Sequence, residues 1–515
     1  MTRRLLLAAG SGLLGALAFP PLGCWPLAFV SIAGLSVAVH GQRARRGAAI
    51  GLVFGAGLFM PMLHWSATYV GAVPWLVLVF SQTWYIAVLG IALPALQSRR
   101  LAPVWVAAAW VAEEGIRDRF PFGGFPWGRW AFSQARSPLK WFAALGGAPL
   151  VTFVAALVGG LIAEAVIQRG SLARLTRLAV AGLLVLCAAS LAVPLDPPVA
   201  QEMMTVAAVQ GNVPDRGLEF NSRRRQVLDN HVRQTLVLAA RVATGRTPRP
   251  KLVLWPENAS DIDPTTNLDA AEQIQRAADA IGAPILVGTL IDGPGDNHVT
   301  NAGIVWMPSS AHKAGPGQRY VKRHPVPFGE YIPLRSIART VSAKVDLVAR
   351  DMVAGKGDGL LTDTPYPIGD VICFEIAYDG LVRSSVKAGA RLLVVQTNNA
   401  TFGHSSETYQ QLAMSQLRAV EHRRTVVQVA TSGKSAIIGP NGDIIQQSGA
   451  LFTPALLVRN IALESSTTIA TQLGAAVEWI ICAVALAGVG LSGGSVIRQR
   501  LARSRFRRRP VPAPR

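Results

Sequence analysis

Three residues with reactive side chains lie at the ends of apolar β-type runs in the second half of the chain. The run "LVLWPE" ends in Glu257, "RYVKRH" contains Lys322, and "DVICFE" contains Cys373. A thiol needs a base to become a thiolate nucleophile, and a glutamate in a dry pocket has a raised affinity for that proton. A lysine can stabilise the oxyanion of a tetrahedral intermediate. Together the three residues predict nucleophilic acyl chemistry.

Each of these residues also has a purely structural explanation. Glu257 could be a surface carboxylate, Lys322 an exposed edge-strand charge, and Cys373 a packed core thiol. The other three of the chain's four cysteines lie in long hydrophobic stretches, at Cys24, Cys187 and Cys482. Cys373 lies in a segment of water-soluble character, so we expect no disulfide partner for it there.

Longer motifs surround the three residues. The runs "LVLWPEN", "YVKRHPVPFGEYIP", "GDVICFE" and "VVQTNNATFG" occur in that order. They resemble the motifs of the nitrilase superfamily, which carries a Glu-Lys-Cys triad. The "FPWGRWAFSQ" loop at 125–134, "QGNVP" at 210–214 and a frame of apolar helices narrow the resemblance to the apolipoprotein N-acyltransferase family. The resemblance covers nearly the whole chain and leaves out only its arginine-rich tail.

The resemblance implies a ping-pong acyl transfer that needs no cofactor. Cys373 would attack an acyl ester of a phospholipid, typically phosphatidylethanolamine, to give a thioester and a lysophospholipid. The α-amine of the S-diacylglyceryl cysteine at the N-terminus of an apolipoprotein would then take the acyl chain. Glu257 would act as base and acid, and Lys322 would stabilise the oxyanion.

The resemblance also assigns supporting residues. Glu330 matches a further family glutamate that would orient the lysine and the incoming water or amine. Phe374 and Glu375 follow the nucleophile where the family usually has Tyr-Glu, and they would help to shape the acyl pocket.

The sequence departs from the family pattern at two places. The usual "TNDAWFG" stands here as "TNNATFG", so Asn399 and Thr401 replace an acid and a tryptophan. The family's tryptophan after the "QGN" segment is absent, and Phe220 is the nearest aromatic residue. Both changes affect the expected substrate contacts and leave the triad intact.

The composition indicates a membrane protein. The chain has 515 residues, of which 50% are hydrophobic, and its mean hydropathy is +0.33. These values are too high for an ordinary soluble protein. Eight apolar stretches are candidate transmembrane helices, at 5–18, 27–39, 48–69, 73–96, 101–111, 150–167, 178–193 and 474–491. The first two and the fifth are short for a bilayer.

Arginine-rich linkers alternate with uncharged linkers between these stretches, so the positive-inside rule gives one consistent orientation. Both termini are then cytoplasmic, and the segment after residue 193 lies on the outer face of a bacterial cytoplasmic membrane. The net charge of +20 is mostly a signal of topology, which leaves nucleic-acid binding without support. Stretch 5–18 also resembles a signal peptide, but we expect it to be retained because apolar sequence resumes at once.

Residues 203–463 have a different character, with short β-type runs alternating with amphipathic helical stretches. The predicted helices are 222–243, 268–280, 380–388 and 407–422, and "GPNGD" at 439–443 predicts a hairpin turn. By the resemblance, this segment is a nitrilase-like αββα sandwich. The expected domains are a seven-helix transmembrane bundle at 1–195, a catalytic domain at 203–465, a last transmembrane helix at 470–493 and a basic tail at 498–515.

An aromatic cluster falls in the predicted outer loop before residue 140. Trp127 and Trp130 lie there with Phe120, Phe122 and Phe125. Tryptophans at this depth suit the headgroup interface, so we expect an aromatic belt or the lip of a lipid entrance.

Two other functions remain open from the sequence. A membrane-tethered amidase or nitrilase that hydrolyses a small C–N bond fits the triad alone. A transporter with an accessory domain predicts ionisable residues near the bilayer midplane, but Glu164 and Glu478 fall towards helix ends. The sequence contains no metal-ligand spacing and no dinucleotide fingerprint, so we expect no cofactor.

Overall fold

The computed structural model describes residues 1–168, 182, 202–213 and 224–507, with 492–507 described as backbone only. The described residues form two parts. The helical part comprises the described residues before 169 and after 468. The α/β part comprises 202–213 and 224–463.

The helical part contains long apolar helices connected by short turns. Its helices are α1 (Thr2–Ala18), α2 (Pro26–Val39), α3 (Ala44–Met62), α4 (Ala72–Gln97), α5 (Ala102–Arg117), α6 (Trp130–Ser133) and α7 (Ala143–Ile167). Small residues bring neighbouring helices close together. A Cβ on Gly47 of α3 would lie 2.2 Å from the carbonyl oxygen of Gly90 in α4, so the backbones could not approach this closely with a larger residue.

The helices partly confirm the predicted transmembrane spans. Among the described residues, two segments are long and apolar enough to cross a bilayer, Ala72–Gln97 and Pro138–Ile167. Pro26–Val39 and Ala476–Leu491 are apolar but shorter. The predicted span 178–193 lies outside the described residues. The structure therefore supports an apolar helical part, while the number of spans stays a prediction.

Two β-sheets form the centre of the α/β part. The first sheet has the strand order β13-β1-β2-β3-β4-β5, with β6 paired to β4, and the second has the order β12-β11-β10-β9-β8-β7. The strands of the first sheet are β1 (Glu202–Gln210), β2 (Leu252–Leu254), β3 (Ile285–Asp292), β4 (His298–Met307), β5 (Gly315–Val321), β6 (Asp351–Met352) and β13 (Ala455–Leu463). Those of the second are β7 (Leu360–Leu361), β8 (Ile368–Ile372), β9 (Leu392–Thr397), β10 (Val426–Ala430), β11 (Ala436–Ile438) and β12 (Ile444–Gln447).

The first and last strands of the α/β part are neighbours. Strand β1 pairs with β13 in antiparallel register from Glu202 opposite Leu463 to Gln210 opposite Ala455. On its other side β1 pairs in parallel with β2. Strand β13 is therefore an edge strand that covers β1.

Helices cover both outer faces of the two sheets. Helices α8 (Arg224–Ala243) and α9 (Leu268–Ile281) pack on the first sheet, and α11 (Asp379–Lys387) and α12 (Glu407–His422) pack on the second. A small helix, α10 (Arg335–Val341), follows β5, while α13 (Ile469–Leu473) and α14 (Ala476–Arg507) return the chain to the helical part. The predicted αββα layering is confirmed, and the predicted helix bounds agree to within two residues over the described part.

Local sequence explains several of these boundaries. Helix α9 begins where the Asn267 side chain accepts a hydrogen bond from the amide of Ala270, and it ends at Gly282, whose φ is +66°. The predicted hairpin joins β11 to β12, with the amide of Gly439 donating to the carbonyl of Asp443. Gly442 supplies the left-handed backbone of this turn, with φ +81°.

A buried network of charges joins the two parts. Arg129, which precedes α6, lies 3.4 Å from Glu114, 3.2 Å from Asp118 and 2.9 Å from Asp379 of α11. Arg418 of α12 pairs with the same Asp379 at 2.6 Å. Burial disfavours a charged Asp379, but the two arginines hold the pKa of its carboxyl well below its usual range.

Candidate active site

Cys373 lies directly after β8, at the first position of a short 3₁₀ turn that runs from Cys373 to Ala377. Its φ is +53°, in the left-handed region that a residue with a side chain seldom adopts. The backbone turns sharply at this point. The Sγ atom lies 3.4 Å from Thr397 Oγ1 and 3.6 Å from Gln411 Nε2.

Glu257 and Lys322 form a buried ion pair. Glu257 lies three residues after the end of β2, and Lys322 directly follows β5. Lys322 Nζ lies 3.1 Å from Glu257 Oε1, and the two residues are 1% and 3% exposed. An ion pair this deep is stable only when further hydrogen bonds satisfy both groups.

Further donors orient the Glu257 carboxylate. Asn301 Nδ2 donates to Oε1 at 2.7 Å, and the amide of Asn398 donates to Oε2 at 2.9 Å. Thr397, the residue before Asn398, contacts the Cys373 thiol. The glutamate and the thiol therefore face the same space at the end of β9.

Glu330 lies on the other side of the lysine. Lys322 Nζ donates to Glu330 Oε1 at 2.6 Å, and Glu330 Oε2 accepts from the amide of Val326 at 2.8 Å. Burial alone would disfavour the ammonium, but the two carboxylates raise the pKa of Lys322 above its ordinary value. The lysine is thus a fixed positive charge.

The thiol is neutral at rest. Burial raises the pKa of Cys373 above its ordinary value, the negative charge of Glu257 raises it further, and Lys322 opposes both effects. Burial and the charge of Lys322 lower the pKa of the nearby His324 to about 4, so its imidazole is also neutral. A base would therefore have to remove the thiol proton before this sulfur could act as a nucleophile.

Aromatic rings form a wall beside Cys373. The Phe374 ring stacks on Phe125 and on Trp127, with centroids 5.7 Å and 6.0 Å away. Trp127 Nε1 donates to Gln410 Oε1 at 2.6 Å. Phe374 is buried next to Cys373, so its position is consistent with the predicted role in shaping a pocket.

The prediction that Trp127 and Trp130 lie at the headgroup interface is wrong. They are 2% and 1% exposed. Trp130 packs against Trp110, with ring centroids 5.6 Å apart, because its loop folds into the junction between the two parts. Phe120 and Phe122 of the same loop are exposed, as predicted for an interfacial loop.

Glu375 does not face the thiol pocket, which differs from the expectation that it shapes the acyl pocket. Its Oε1 accepts hydrogen bonds from the Tyr320 hydroxyl at 2.9 Å and from the amides of Arg323 and His324 at 2.7 Å and 3.1 Å. Its Oε2 accepts from the amide of Ile372 at 2.9 Å. After the left-handed turn this side chain points away from the thiol, and it connects the segment around Lys322 to the turn at Cys373.

The altered "TNNATFG" segment is partly internal. Asn399 is buried, and its Nδ2 donates to Glu407 Oε2 at 2.8 Å and to Gln411 Oε1 at 3.0 Å. Burial raises the pKa of Glu407 to about 8, and the hydrogen bond from Asn399 opposes this rise. Asn399 therefore supports Gln411, which contacts the thiol. Thr401, which stands where the family usually has tryptophan, is partly exposed.

Several residues of the site were not predicted from the sequence. Asn301, Thr397, Asn398 and Gln411 supply the hydrogen bonds around Glu257 and Cys373. One signal for Asn301 is present, because it is a buried polar residue directly before the apolar run from Ala302 to Met307 in strand β4. Among the residues that the structure describes, no group of three or more His, Cys, Asp or Glu side chains could hold a metal ion.

Two protein-family models match the sequence. They are described as "Apolipoprotein N-acyltransferase N-terminal domain", over residues 11–161, and "Carbon-nitrogen hydrolase", over residues 205–471. The apolipoprotein N-acyltransferase of Mycolicibacterium smegmatis is 41% identical over 506 residues, which cover 94% of this chain and 84% of that protein. The chain belongs to the apolipoprotein N-acyltransferase family. A second member, from Pseudomonas putida, is 31% identical over 511 residues, with 95% of this chain and 96% of that protein covered.

Membership of the apolipoprotein N-acyltransferase family confirms the resemblance inferred from the sequence motifs. The family model over 11–161 extends it to the helical part, which favours an acyltransferase over a small amidase. Among solved structures, an amidase from Nesterenkonia sp. matches with 18% identity and a TM-score of 0.37, covering 50% of this chain and 90% of the amidase.

Proposed function

We propose that this protein transfers an acyl chain from a phospholipid to the N-terminal S-diacylglyceryl cysteine of apolipoproteins, through a thioester on Cys373. The observation that carries the proposal is the buried Glu257–Lys322 ion pair beside the left-handed Cys373, in a chain of this family. The triad assignment rests on this geometry and on the chemistry of the three groups.

In the first half-reaction Cys373 Sγ forms a bond to the ester carbonyl carbon as Glu257 takes the thiol proton. Lys322 stabilises the negative charge that develops on the carbonyl oxygen. The tetrahedral intermediate then breaks its bond to the glycerol oxygen. Glu257 returns the proton to that oxygen, and a lysophospholipid leaves.

In the second half-reaction the α-amine of the acceptor attacks the thioester carbon, and Glu257 takes a proton from the nitrogen. The intermediate expels the Cys373 sulfur, which regains a proton from Glu257, and an amide is formed. Glu330 holds Lys322 in place through both steps, because it accepts a hydrogen bond from Nζ. No step requires a cofactor.

The apolar surface near the site supports a lipid acyl donor, and we propose a phospholipid of the phosphatidylethanolamine kind. Helix α10 and its flanks expose large apolar side chains, at Phe328, Leu334, Ile337, Val341 and Leu347. The Phe328 ring lies 5.8 Å from Phe122 of the helical part. Apolar side chains at this junction suit contact with a bilayer, from which an acyl chain could reach Cys373 without crossing water.

We also propose that the protein is a multi-pass protein of the bacterial cytoplasmic membrane with the α/β part on its outer face. The alternation of arginine-rich and uncharged linkers supports this orientation. It places 1–195 and 470–493 in the membrane, 203–465 outside as the catalytic domain, and the basic tail 498–515 in the cytoplasm. Both proposed substrates are membrane-anchored, so the catalytic domain would meet them at the bilayer surface.

Intact-mass spectrometry of the purified full-length protein tests this function. After incubation with phosphatidylethanolamine vesicles, we expect one acyl adduct that maps to Cys373 and disappears when a diacylglyceryl-cysteinyl peptide is added. Cys373→Ala should form no adduct. A matched control, with Cys24, Cys187 and Cys482 all replaced by alanine, should still form it. Full acyl transfer by Cys373→Ala would contradict the nucleophile assignment, and hydrolysis of small amides with no lipid adduct would favour an amidase.

A further inference from the structure

Two polar side chains lie in the apolar layer between the two sheets. Asp370 of β8 and Gln396 of β9 are 1% and 0% exposed. They point in the same direction as Ile368 and Ile372 on β8 and as Leu392 and Val394 on β9, which belong to the core between the sheets. A buried polar side chain in such a layer needs a partner.

The oxygens of these two side chains occupy one small space. Within the described residues, neither carboxyl oxygen of Asp370 meets a side-chain donor, and neither does Gln396 Oε1. A Cβ on Gly303 of the facing strand β4 would lie 2.0 Å from Asp370 Oδ2 and 2.6 Å from Gln396 Oε1. Only glycine leaves room for this arrangement. Two acceptors that meet without a donor indicate a proton between them.

The charges near Asp370 are consistent with such a proton. The titratable groups that act on it are Glu375, Glu257 and the phenol of Tyr320, and no cation is among them. Burial and the charge of Glu375 raise the pKa of Asp370 well above its ordinary value, and the amide of Val371 opposes this rise only in part.

The other end of Gln396 reaches the chain segment that carries Glu257. Gln396 Nε2 donates to the carbonyl oxygen of Trp255 at 2.6 Å. Pro256, which follows, has no amide hydrogen, so the chain leaves the sheet here with fewer backbone hydrogen bonds. The Asp370 and Gln396 side chains thus connect the strand that precedes Cys373 to the residues that precede Glu257.

We infer that Asp370 is a neutral carboxylic acid whose O–H donates to Gln396 Oε1, and that this hydrogen bond makes Asp370 a positioning residue for Glu257. The positioning role rests on the proposed function, in which Glu257 is the base. The protonation state of Asp370 is independent of that function. The two parts therefore need separate measurements.

The melting temperature of the full-length protein in detergent tests the protonation state. An unfolded aspartate is ionised above about pH 4, so a neutral Asp370 takes up a proton on folding and stability falls as the pH rises. Asp370→Asn keeps an N–H donor for Gln396 and has no proton to take up. We expect this variant to melt at a higher temperature than the wild type, by a margin that grows from about pH 5 to about pH 8. A lower melting temperature across this range would show an ionised, paired Asp370 and would overturn the inference.

The pH profile of Cys373 alkylation by iodoacetamide tests the positioning role, because it reports base function without requiring lipid. Asp370→Asn should keep the wild-type profile. Asp370→Leu and Gln396→Met each remove the connection, so we expect a loss of about tenfold near neutral pH and a shift of the profile to higher pH. The alkylation rate of the double variant, Asp370→Leu with Gln396→Met, should fall no further than that of either single variant.

A wild-type profile in Gln396→Met would overturn the positioning role, even if Asp370→Leu failed to fold. Failure of the proposed function would be seen in a different experiment, in which the wild type would form no acyl adduct with phospholipid. The melting and alkylation measurements would be unaffected by that result.

Discussion

Glu257 accepts hydrogen bonds from Lys322, Asn301 and Asn398, so its carboxylate is held in one orientation before any substrate arrives. The neighbouring thiol is neutral, and the charge of Glu257 itself contributes to that state. The same carboxylate therefore repels a free thiolate and, in the proposed mechanism, accepts its proton. These two effects separate when the pH is varied.

We expect Glu257→Gln to slow alkylation of Cys373 by about 100-fold near neutral pH, because glutamine keeps the shape but cannot accept a proton. At high pH the thiol ionises unaided, and the lost repulsion lets the variant react at least as fast as the wild type. Alkylation rates measured with iodoacetamide across the pH range should therefore show the pH–rate profiles of the wild type and the variant converging or crossing at high pH. Wild-type rates at every pH would show that Glu257 is not the base.

Lys322→Met should affect acyl transfer and alkylation unequally. Acyl transfer from phospholipid should fall by about 100-fold to 1,000-fold, because the oxyanion loses its fixed positive charge. Alkylation forms no oxyanion, so it should fall less, although the lost cation also disfavours the thiolate. Parallel measurement of both rates on one preparation provides the comparison. Equal losses would assign Lys322 to thiol activation alone.

The sequence was sufficient to predict that Glu257, Lys322 and Cys373 belong to one site, because reactive side chains at strand ends in family motifs are a strong local signal, and the structure brings the three residues together. It did not find Asn301, which is 44 residues from Glu257 in sequence and meets it only through the pairing of sheet strands. It misplaced Glu375, because adjacency to Cys373 does not reveal the left-handed turn between them. Side-chain direction after a turn requires the backbone conformation.

At the scale of elements, Glu375 connects β5 to the turn at Cys373 by accepting hydrogen bonds from four different residues. Glu375→Ala would leave these buried donors unpaired. We expect the free energy of unfolding to fall by about 3 kcal/mol or more, seen as a lower melting temperature. Glu272→Ala on the exposed face of α9 is the matched control and should melt like the wild type. An unchanged melting temperature in Glu375→Ala would contradict this structural role.

The sequence pattern predicted the elements of the α/β part well, because short apolar β-type runs alternate there with longer amphipathic helical stretches. The burial of Trp127 and Trp130, in the aromatic loop before α6 and at its start, was not predictable in this way. Tryptophan is a residue type typical of membrane interfaces, but Trp127 is buried because Gln410 of α12 supplies an acceptor for its indole N–H. That partner is 283 residues away in the chain.

At the scale of the whole molecule, Arg129 joins the helical part to the α/β part through three carboxylates. Arg129→Met would remove the positive charge that these three buried carboxylates share, and Arg418 would remain beside only one of them, Asp379. We expect a loss of about 3–5 kcal/mol in the free energy of unfolding, measured as a lower melting temperature in detergent. Arg246→Met, at an exposed position, is the control. Equal melting of the two variants would show that the network does not stabilise the junction.

The proposed orientation predicts a protease pattern. Protease added to intact spheroplasts should cleave within 203–463 and leave the arginine-rich tail intact, because the positive-inside rule places the tail in the cytoplasm. Lysis before digestion should expose both segments and serves as the control. Cleavage of the tail in intact spheroplasts, with the insert protected, would invert the topology.

The pairing of β1 with β13 has a consequence for biosynthesis. Strand β1 leaves the ribosome first, but its neighbour on one side is the last strand of the α/β part to be synthesised. At ordinary translation rates the interval between them is on the order of tens of seconds. Throughout that time β1 presents an unpaired edge, which is a template for wrong strand pairing. A nascent chain truncated before residue 455 cannot complete its larger sheet, so we expect such products to depend on chaperones and to be degraded quickly.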